Sequence, residues 1–513
     1  MKLTRRDLLK LLLLGPLLEV EWEQLANQPL KRPQKQENQN RPNVLLLVFD
    51  TFSAPHASFY RYFRETTPNL ARFAEHATVF HQHYSAGNFT SPGTASLLTG
   101  TYPWTHRAFN IKSTIDERML QNNLFSAFDG SVYYRTAYTH SSLATIFLNQ
   151  FSNDIEFLKP LVDLFLSNDV LADQLFPNDL NTATFSEELI LPRDGRLPTS
   201  LFASLLNESR ELVQERRLLE KYGEFFPRGL PSADEEGRVF ILEDAIDWLI
   251  EQTNNVREPY LLYAHLLPPH EPYRPRIEFT DLFNDEWLPV AKPQHFSGEG
   301  LAQAALNQRR RTYDHYLAYV DAEFGRLYNT MLENGTLDNT YVVVTSDHGQ
   351  MFERGIHGHI TPTLYNPVLQ IPLIISKPGQ QQRVDVRTPT SAVDVVPSLL
   401  TATSHPFPAW TEGRLLPTFS EEAEVPDRPI YAMDAKRNFR DEALTVGTMT
   451  LIKGPYKLIH YLGYDEYEDS FELYNLEQER EEIQDLYESE PAIAAELREE
   501  MEAKIAEVNE PYL

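Results

Sequence analysis

Four runs of apolar residues punctuate the chain, each too continuous for a strand with one face in water. Asn43–Phe49 (NVLLLVF) leads directly into Asp50, and Pro259–His265, Tyr341–Thr345 and Ile371–Ser376 repeat the pattern. A strand covered on one face alternates apolar and polar positions, whereas an unbroken run suits a parallel strand covered on both. Between the runs, Thr67–His76 and Asp314–Asn334 carry apolar residues at helical spacing. Strands alternating with helices predict an α/β fold with a large, mainly parallel sheet flanked by helices. Ligands of such sheets bind beyond the carboxyl ends of the strands. Asp50 follows the first run there, and Asp347 stands two residues after the VVVT run.

The pattern weakens elsewhere. Residues 110–240 are irregular, with an Arg/Glu-rich helical stretch near Asn207–Tyr222. They predict an insertion covering the site, their charge run being a solvated helix face. From about residue 425 the composition turns acidic. Tyr456–Tyr461, Glu472–Asn475 and a helix over Pro491–Val508 predict a small C-terminal α+β subdomain over 425–513. The catalytic body is then 41–424, preceded by an N-terminal segment and linker over 1–40.

That N-terminal segment holds Arg5-Arg6 ahead of a leucine run broken by Gly15-Pro16. It reads as a twin-arginine-like bacterial signal, implying export to the periplasm or beyond. An amphipathic helix in a cytoplasmic protein is the alternative. No later segment has the length of apolar residues that a membrane span requires.

Composition narrows the chemistry. With 42% hydrophobic and 12% aromatic residues, the 513-residue chain can bury a sizeable core. Its 46 basic and 74 acidic residues give a net charge of −28, which argues against a nucleic-acid partner. A local metal reverses the field within one pocket, so an anionic small substrate stays open. There is no cysteine, which excludes disulfides, thiolate metal sites and thiol nucleophiles.

Asp50, Asp347 and His348 form a ligand set suited to a divalent cation. Each alone is weak, since a strand-end aspartate often caps the next helix. Thr90 begins Thr-Ser-Pro-Gly-Thr-Ala-Ser-Leu-Leu-Thr-Gly (90–100), a loop entering a helix N-terminus. Its free N–H groups suit a phosphate or sulfate, and a hydroxyl there can attack an ester. A plain N-cap is the alternative.

Eight segments, in order, resemble the sulfatase-like branch of the alkaline phosphatase superfamily. They are NVLLLVFD (43–50), TPNLARFAEHATVFHQHYS (67–85), TSPGTASLLTG (90–100), HLLPPHEPY (265–273), YVVVTSDHGQ (341–350), IHGHITPTLYN (356–366), IPLIISKPG (371–379) and ELYNLEQEREEIQDL (472–486). The resemblance implies an alkaline-phosphatase-like fold and one divalent metal ion, Mn²⁺ or Zn²⁺ ahead of Mg²⁺ or Ca²⁺. It places Asp50, Asp347 and His348 at metal-ligand positions, with Thr90 both the nucleophile and a fourth residue of the metal site. It places His265, His270 and His357 where the transferring anion is bound or the leaving oxygen protonated. One of His265 and His270 serves as general acid, and the other is open to a core role. His357 and His359 suggest a second metal without completing its ligand set.

Departures from the family pattern shift the expected reaction. Sulfatases of this type convert a cysteine or serine to formylglycine within Cys-x-Pro-Ser-Arg, and Thr90 through Thr94 read Thr-Ser-Pro-Gly-Thr. A residue branched at Cβ cannot become that aldehyde. The second acidic residue after the first aspartate is Thr51, and the lysine following the His357 region is missing. The expected activity is therefore metal-dependent hydrolysis or transfer of a phosphate ester through Thr90. A sulfatase working without formylglycine and a silent metal-binding relative are the alternatives. The natural substrate and oligomeric state are not legible.

Overall fold

The computed structural model describes residues 41–166, 201–233, 238–420, 425–465 and 470–513, with side chains of the helix Leu201–Tyr222 described from 212 onward. The twin-arginine-like segment and linker lie outside the described residues.

The strands in chain order are β1 (Asn43–Phe49), β2 (Thr78–Phe80), β3 (His83–Tyr84), β4 (Tyr134–Thr139), β5 (Phe157–Leu158), β6 (Tyr260–Leu266), β7 (Thr340–Thr345), β8 (Met351–Glu353), β9 (Ile356–Gly358), β10 (Leu373–Ser376), β11 (Val384–Val386), β12 (Thr390–Ser391), β13 (Ile430–Asp434), β14 (Gly447–Lys453), β15 (Tyr456–Leu462) and β16 (Ser470–Asn475). Eight of them form one sheet in the order β11-β2-β10-β7-β1-β6-β4-β5. The pairs among β7, β1, β6, β4 and β5 are parallel, and β10 runs antiparallel to both its neighbours.

The unbroken apolar runs have the physical origin expected of them. In β1, Leu45, Leu47 and Phe49 enter one core while Val44, Leu46 and Val48 enter another. Each such buried side chain contributes about 1.5–3 kcal/mol. The first core includes residues of helices Pro68–Ala74, Leu242–Asn255 and Gln303–Glu333. The second includes residues of Thr90–Thr99, Ser142–Gln150 and Val395–Ala402.

Two elements differ from the sequence reading. The stretch 110–240, expected as an insertion, contributes β4 and β5 to the main sheet, β4 pairing with β6 from Tyr134–Tyr260 to Thr139–His265. Its strand YRTAYT is polar, and the hydroxyl of Thr136 is satisfied by Phe157 O (3.0 Å). The helix expected from Asp314 begins at Gln303. Its first turns are polar, and the buried Arg310 there is paired with Glu353 (3.3 Å).

The C-terminal strands β13–β16 form a four-stranded antiparallel sheet. A core cluster joins this sheet and the helix Pro491–Asn509 to Tyr102, Trp104 and Val393 of the main body.

Candidate metal centre and active site

Registry brings the candidate residues together. His265 of β6 and Thr345 of β7 both stand opposite Val48 of β1. The three adjacent strands therefore release His265, Asp50 and Asp347–His348 at one level of the sheet's carboxyl edge. All four side chains are fully buried. His265 Nε2 lies 3.4 Å from Asp50 Oδ2 and 3.7 Å from Asp347 Oδ2. His348 Nε2 lies 3.5 Å from Asp50 Oδ1 and 3.5 Å from Asp347 Oδ2. Donor atoms sharing one ion at its usual bond lengths are about 3.0–3.5 Å apart.

The electrostatics match an ion-holding set. Both oxygens of Asp50 and Nε2 of His265 are buried without a hydrogen-bond partner, which is costly unless something else satisfies them. Burial pushes Asp50 up, but the nearby His265 imidazole and the charges of His270 and His348 outweigh it, leaving the carboxyl below its ordinary value. Burial and the neighbouring Asp50 hold Asp347 above its ordinary value. Burial opposes charge on His265, yet Asp347 and Asp50 raise its pKa. Among the described residues, Asp50, His265 and Asp347 alone group their ligand atoms closely enough for a metal. His265, expected as an anion-binding or proton-donating group, thus sits among the carboxylates. His357 and His359 form no second cluster among the described residues.

The nucleophile candidate faces this cluster. Thr90 is the first residue of the helix Thr90–Thr99, and its Oγ1 lies 3.3 Å from His348 Nε2. His348 Nδ1–H donates to Gly349 O (3.0 Å), which leaves the Nε2 lone pair facing inward. Gly93 makes the approach feasible: a Cβ there would lie 2.3 Å from Asp347 O.

A family model described as sulfatase matches residues 42–405 of this chain. The chain belongs to the sulfatase family. A second model, the C-terminal region of N-sulphoglucosamine sulphohydrolase, matches residues 355–510. The choline-sulfatase of Rhizobium meliloti is 23% identical over 392 residues, covering 70% of this chain and 67% of that protein. The multifunctional alkaline phosphatase superfamily protein PehA of Trinickia caryophylli is 24% identical over 439 residues, covering 75% and 78%. The crystal structure of the phosphonate monoester hydrolase of Agrobacterium radiobacter superposes with TM-score 0.62 at 20% identity, covering 91% of this chain and 96% of that one. The protein is thus a hydrolase of the sulfatase and alkaline phosphatase superfamily.

In this sulfatase-family chain the departures from pattern cluster on Asp347. Thr94 Oγ1 lies 3.4 Å from Asp347 Oδ2, and Thr51 N lies 3.4 Å from its Oδ1. Thr51 adopts φ +62°, a left-handed conformation that strains a β-branched residue. The turn is clamped by Tyr313, whose hydroxyl donates to Thr51 O (2.8 Å) and accepts from Ser53 N (3.1 Å). Ser346 Oγ accepts from Phe52 N (2.9 Å).

The remaining histidines form an outer wall. His359 is buried, its ring centre 4.5 Å from that of His348 and 5.1 Å from that of His270. Burial and the charges of His348, His270 and His357 hold it well below its ordinary value. His270 Nδ1 donates to Glu271 O (2.7 Å). His357, on β9, faces Phe352 and lies 3.6 Å from Glu271 Oε2. Sequence reasoning passed over Thr94 as a contact of Asp347, Glu271 as the partner of His357, and Tyr313 as a clamp. Glu271 adjoins His270 in the quoted HLLPPHEPY segment; Tyr313 has no signal, lying on a long helix without a motif.

Proposed function

We propose that this chain is a metal-dependent hydrolase or transferase of phosphate esters, with Thr90 as the nucleophile. The observation that carries the reading is Thr90 Oγ1, 3.3 Å from His348 Nε2 beside the unpartnered carboxylate of Asp50. Asp50, Asp347, His348 and His265 would hold one Mn²⁺ or Zn²⁺. When bound, such an ion acidifies a neighbouring hydroxyl and offsets charge on the phosphoryl oxygens. Thr90 Oγ1, its hydroxyl proton passing to solvent water, would attack phosphorus in line with the leaving alcohol, forming the Oγ–P bond as the ester P–O bond breaks. The amides of the first turn of Thr90–Thr99 face the equatorial oxygens. His270, with Nδ1–H fixed on Glu271 O, presents Nε2 to protonate the leaving oxygen. Water, or a second alcohol in a transferase, releases the phosphothreonine.

The resemblance to a phosphonate monoester hydrolase fold and to PehA is compatible with this chemistry. A second reading, sulfate ester hydrolysis without formylglycine, is favoured by the two matching sulfatase models. Paired aryl phosphate and aryl sulfate esters separate the two, since turnover of the sulfate alone sinks the phosphoryl reading. Thr90→Ala lowers phosphatase activity by about 10³-fold or more, and acid quenching of the native protein yields phosphate on Thr90. A wild-type protein that turns over neither ester, with metal uptake unchanged in Thr90→Ala, assigns the chain to the silent metal-binding class. Export through Arg5-Arg6 belongs to the same proposal, tested by whether Arg5→Lys/Arg6→Lys retains the protein in the cytoplasm.

A further inference from the structure

We infer that the cavity beside the turn Ala54–His56 is a second binding site, separate from the metal centre, for an aryl anion that carries a hydroxyl group. Neither Thr90 nor any of the candidate metal ligands borders it, so its occupancy is independent of the phosphoryl chemistry.

The cavity encloses about 350 Å³, within the range of small-molecule sites. In a chain of net charge −28 its wall is positive, with Arg61, Lys292, Arg310 and Arg480 set against Glu353 and Glu481. Glu353 is shared between Lys292 (2.8 Å) and Arg310 (3.3 Å). Arg310 is nine-tenths buried, with Nη2 donating to Phe352 O (3.2 Å) and Glu353 while Nε has no partner. A buried guanidinium short of acceptors is a place for an anion. Arg61 and Arg480 are exposed, and neither forms an ion pair among the described residues. Arg61 stands there in left-handed backbone (φ +77°), which glycine adopts at lower cost.

Two further features select the body of the ligand. Phe63, 63% exposed, stacks parallel on Trp287 with ring centres 5.3 Å apart and planes at 8°. Both residues border the cavity, a flat apolar platform suited to another aromatic ring. His56 brings an acceptor to the same wall. Asp314 Oδ2 accepts from the Tyr62 hydroxyl (2.7 Å) and Arg64 Nη1 (2.7 Å), which leaves Oδ1 to accept from His56 Nδ1–H (2.8 Å). Burial holds this imidazole below its ordinary value, so Nε2 keeps a lone pair for a hydroxyl donor.

The competing explanation is a crevice filled by water, whose charges serve only the fold. Calorimetric titration of the full chain with para-hydroxybenzenesulfonate, which has no ester to cleave, separates the two. One equivalent is expected to bind, with the same affinity in metal-loaded and metal-stripped protein. Benzenesulfonate, lacking the hydroxyl, binds about 3- to 10-fold more weakly. Arg61→Ala/Arg480→Ala weakens binding about 10-fold, and Phe63→Ala about 3- to 10-fold. All three side chains are exposed, so both variants keep the wild-type urea midpoint. No binding by the wild type, binding lost with the metal, equal affinity for the two sulfonates, or wild-type affinity in either variant overturns the proposal.

Discussion

Two buried charged clusters in this protein are equally dry and differ in whether the chain completes them. Between the main body and the C-terminal sheet, Lys457 Nζ reaches Glu482 Oε1 at 2.6 Å and Asn366 Oδ1 at 3.0 Å. The other Glu482 oxygen accepts from Asn366 N (2.8 Å). At the carboxyl edge of the sheet, Asp50 and His265 keep unpartnered atoms, and the nearest ionic contacts stand at 3.4–3.7 Å. A satisfied buried pair joins parts of a fold, whereas an unsatisfied one at ion-ligand spacing awaits something from outside.

The largest effect expected from breaking this contrast is at Asp50 or Asp347. Alanine at either lowers kcat/KM by about 10³-fold or more and abolishes stoichiometric metal uptake measured by elemental analysis. The metal-free variants melt no lower than metal-free wild type, because a poorly compensated buried charge has gone. A marked loss of metal-free stability would place this cluster with the structural one.

Next comes Lys457→Met, which strands Glu482 in the interior and costs about 3–5 kcal/mol in urea unfolding. Lys457→Met/Glu482→Gln recovers most of that loss. If the single variant unfolds as wild type does, the contrast fails from the other side.

Acid tests the rest of the interior. His83, His106 and His140 are buried and neutral, and burial depresses each to about 3. Their folded pKa lies below the unfolded value, so their contribution is complete above about 6.5 and is lost as pH falls towards 3. Each costs about 1 kcal/mol per pH unit within that window, so urea midpoints fall steadily from pH 6.5 to pH 5. A flat profile would show these imidazoles protonating without opening the fold.

The smallest effect is at Thr51. Asparagine tolerates the left-handed conformation better, so Thr51→Asn gains about 0.5–1 kcal/mol, read as a raised Tm. Activity within a few-fold of wild type shows strain relieved beside the candidate metal centre without disturbing it.

Much of this arrangement was legible in the chain, for reasons particular to each residue. Asp50 and Asp347 were visible because β1 and β7 are buried on both faces, so their apolar runs mark where the strands stop. His265 stood out as an imidazole within an apolar run, but its place among the carboxylates depends on the β1–β6 register, which local sequence does not encode. β4 escaped notice because its polar residues break the apolar pattern, Thr136 finding its partner at Phe157 O across the sheet. The first turns of Gln303–Glu333 escaped because Arg310 is buried through pairing with Glu353.

The clamp on Thr51 ties the turn after Asp50 to the whole length of one helix. Tyr313 lies on a 31-residue helix, and about 30 Å of that rod runs onward to Glu333 at 1.5 Å per residue. One phenolic oxygen couples the rod to the backbone between Asp50 and Ser53. A crosslink or engineered binder on the distal turns would therefore pull on the loop after Asp50. Phe at 313 would uncouple the two while leaving the helix packed, turning a rigid transmission into a slack one.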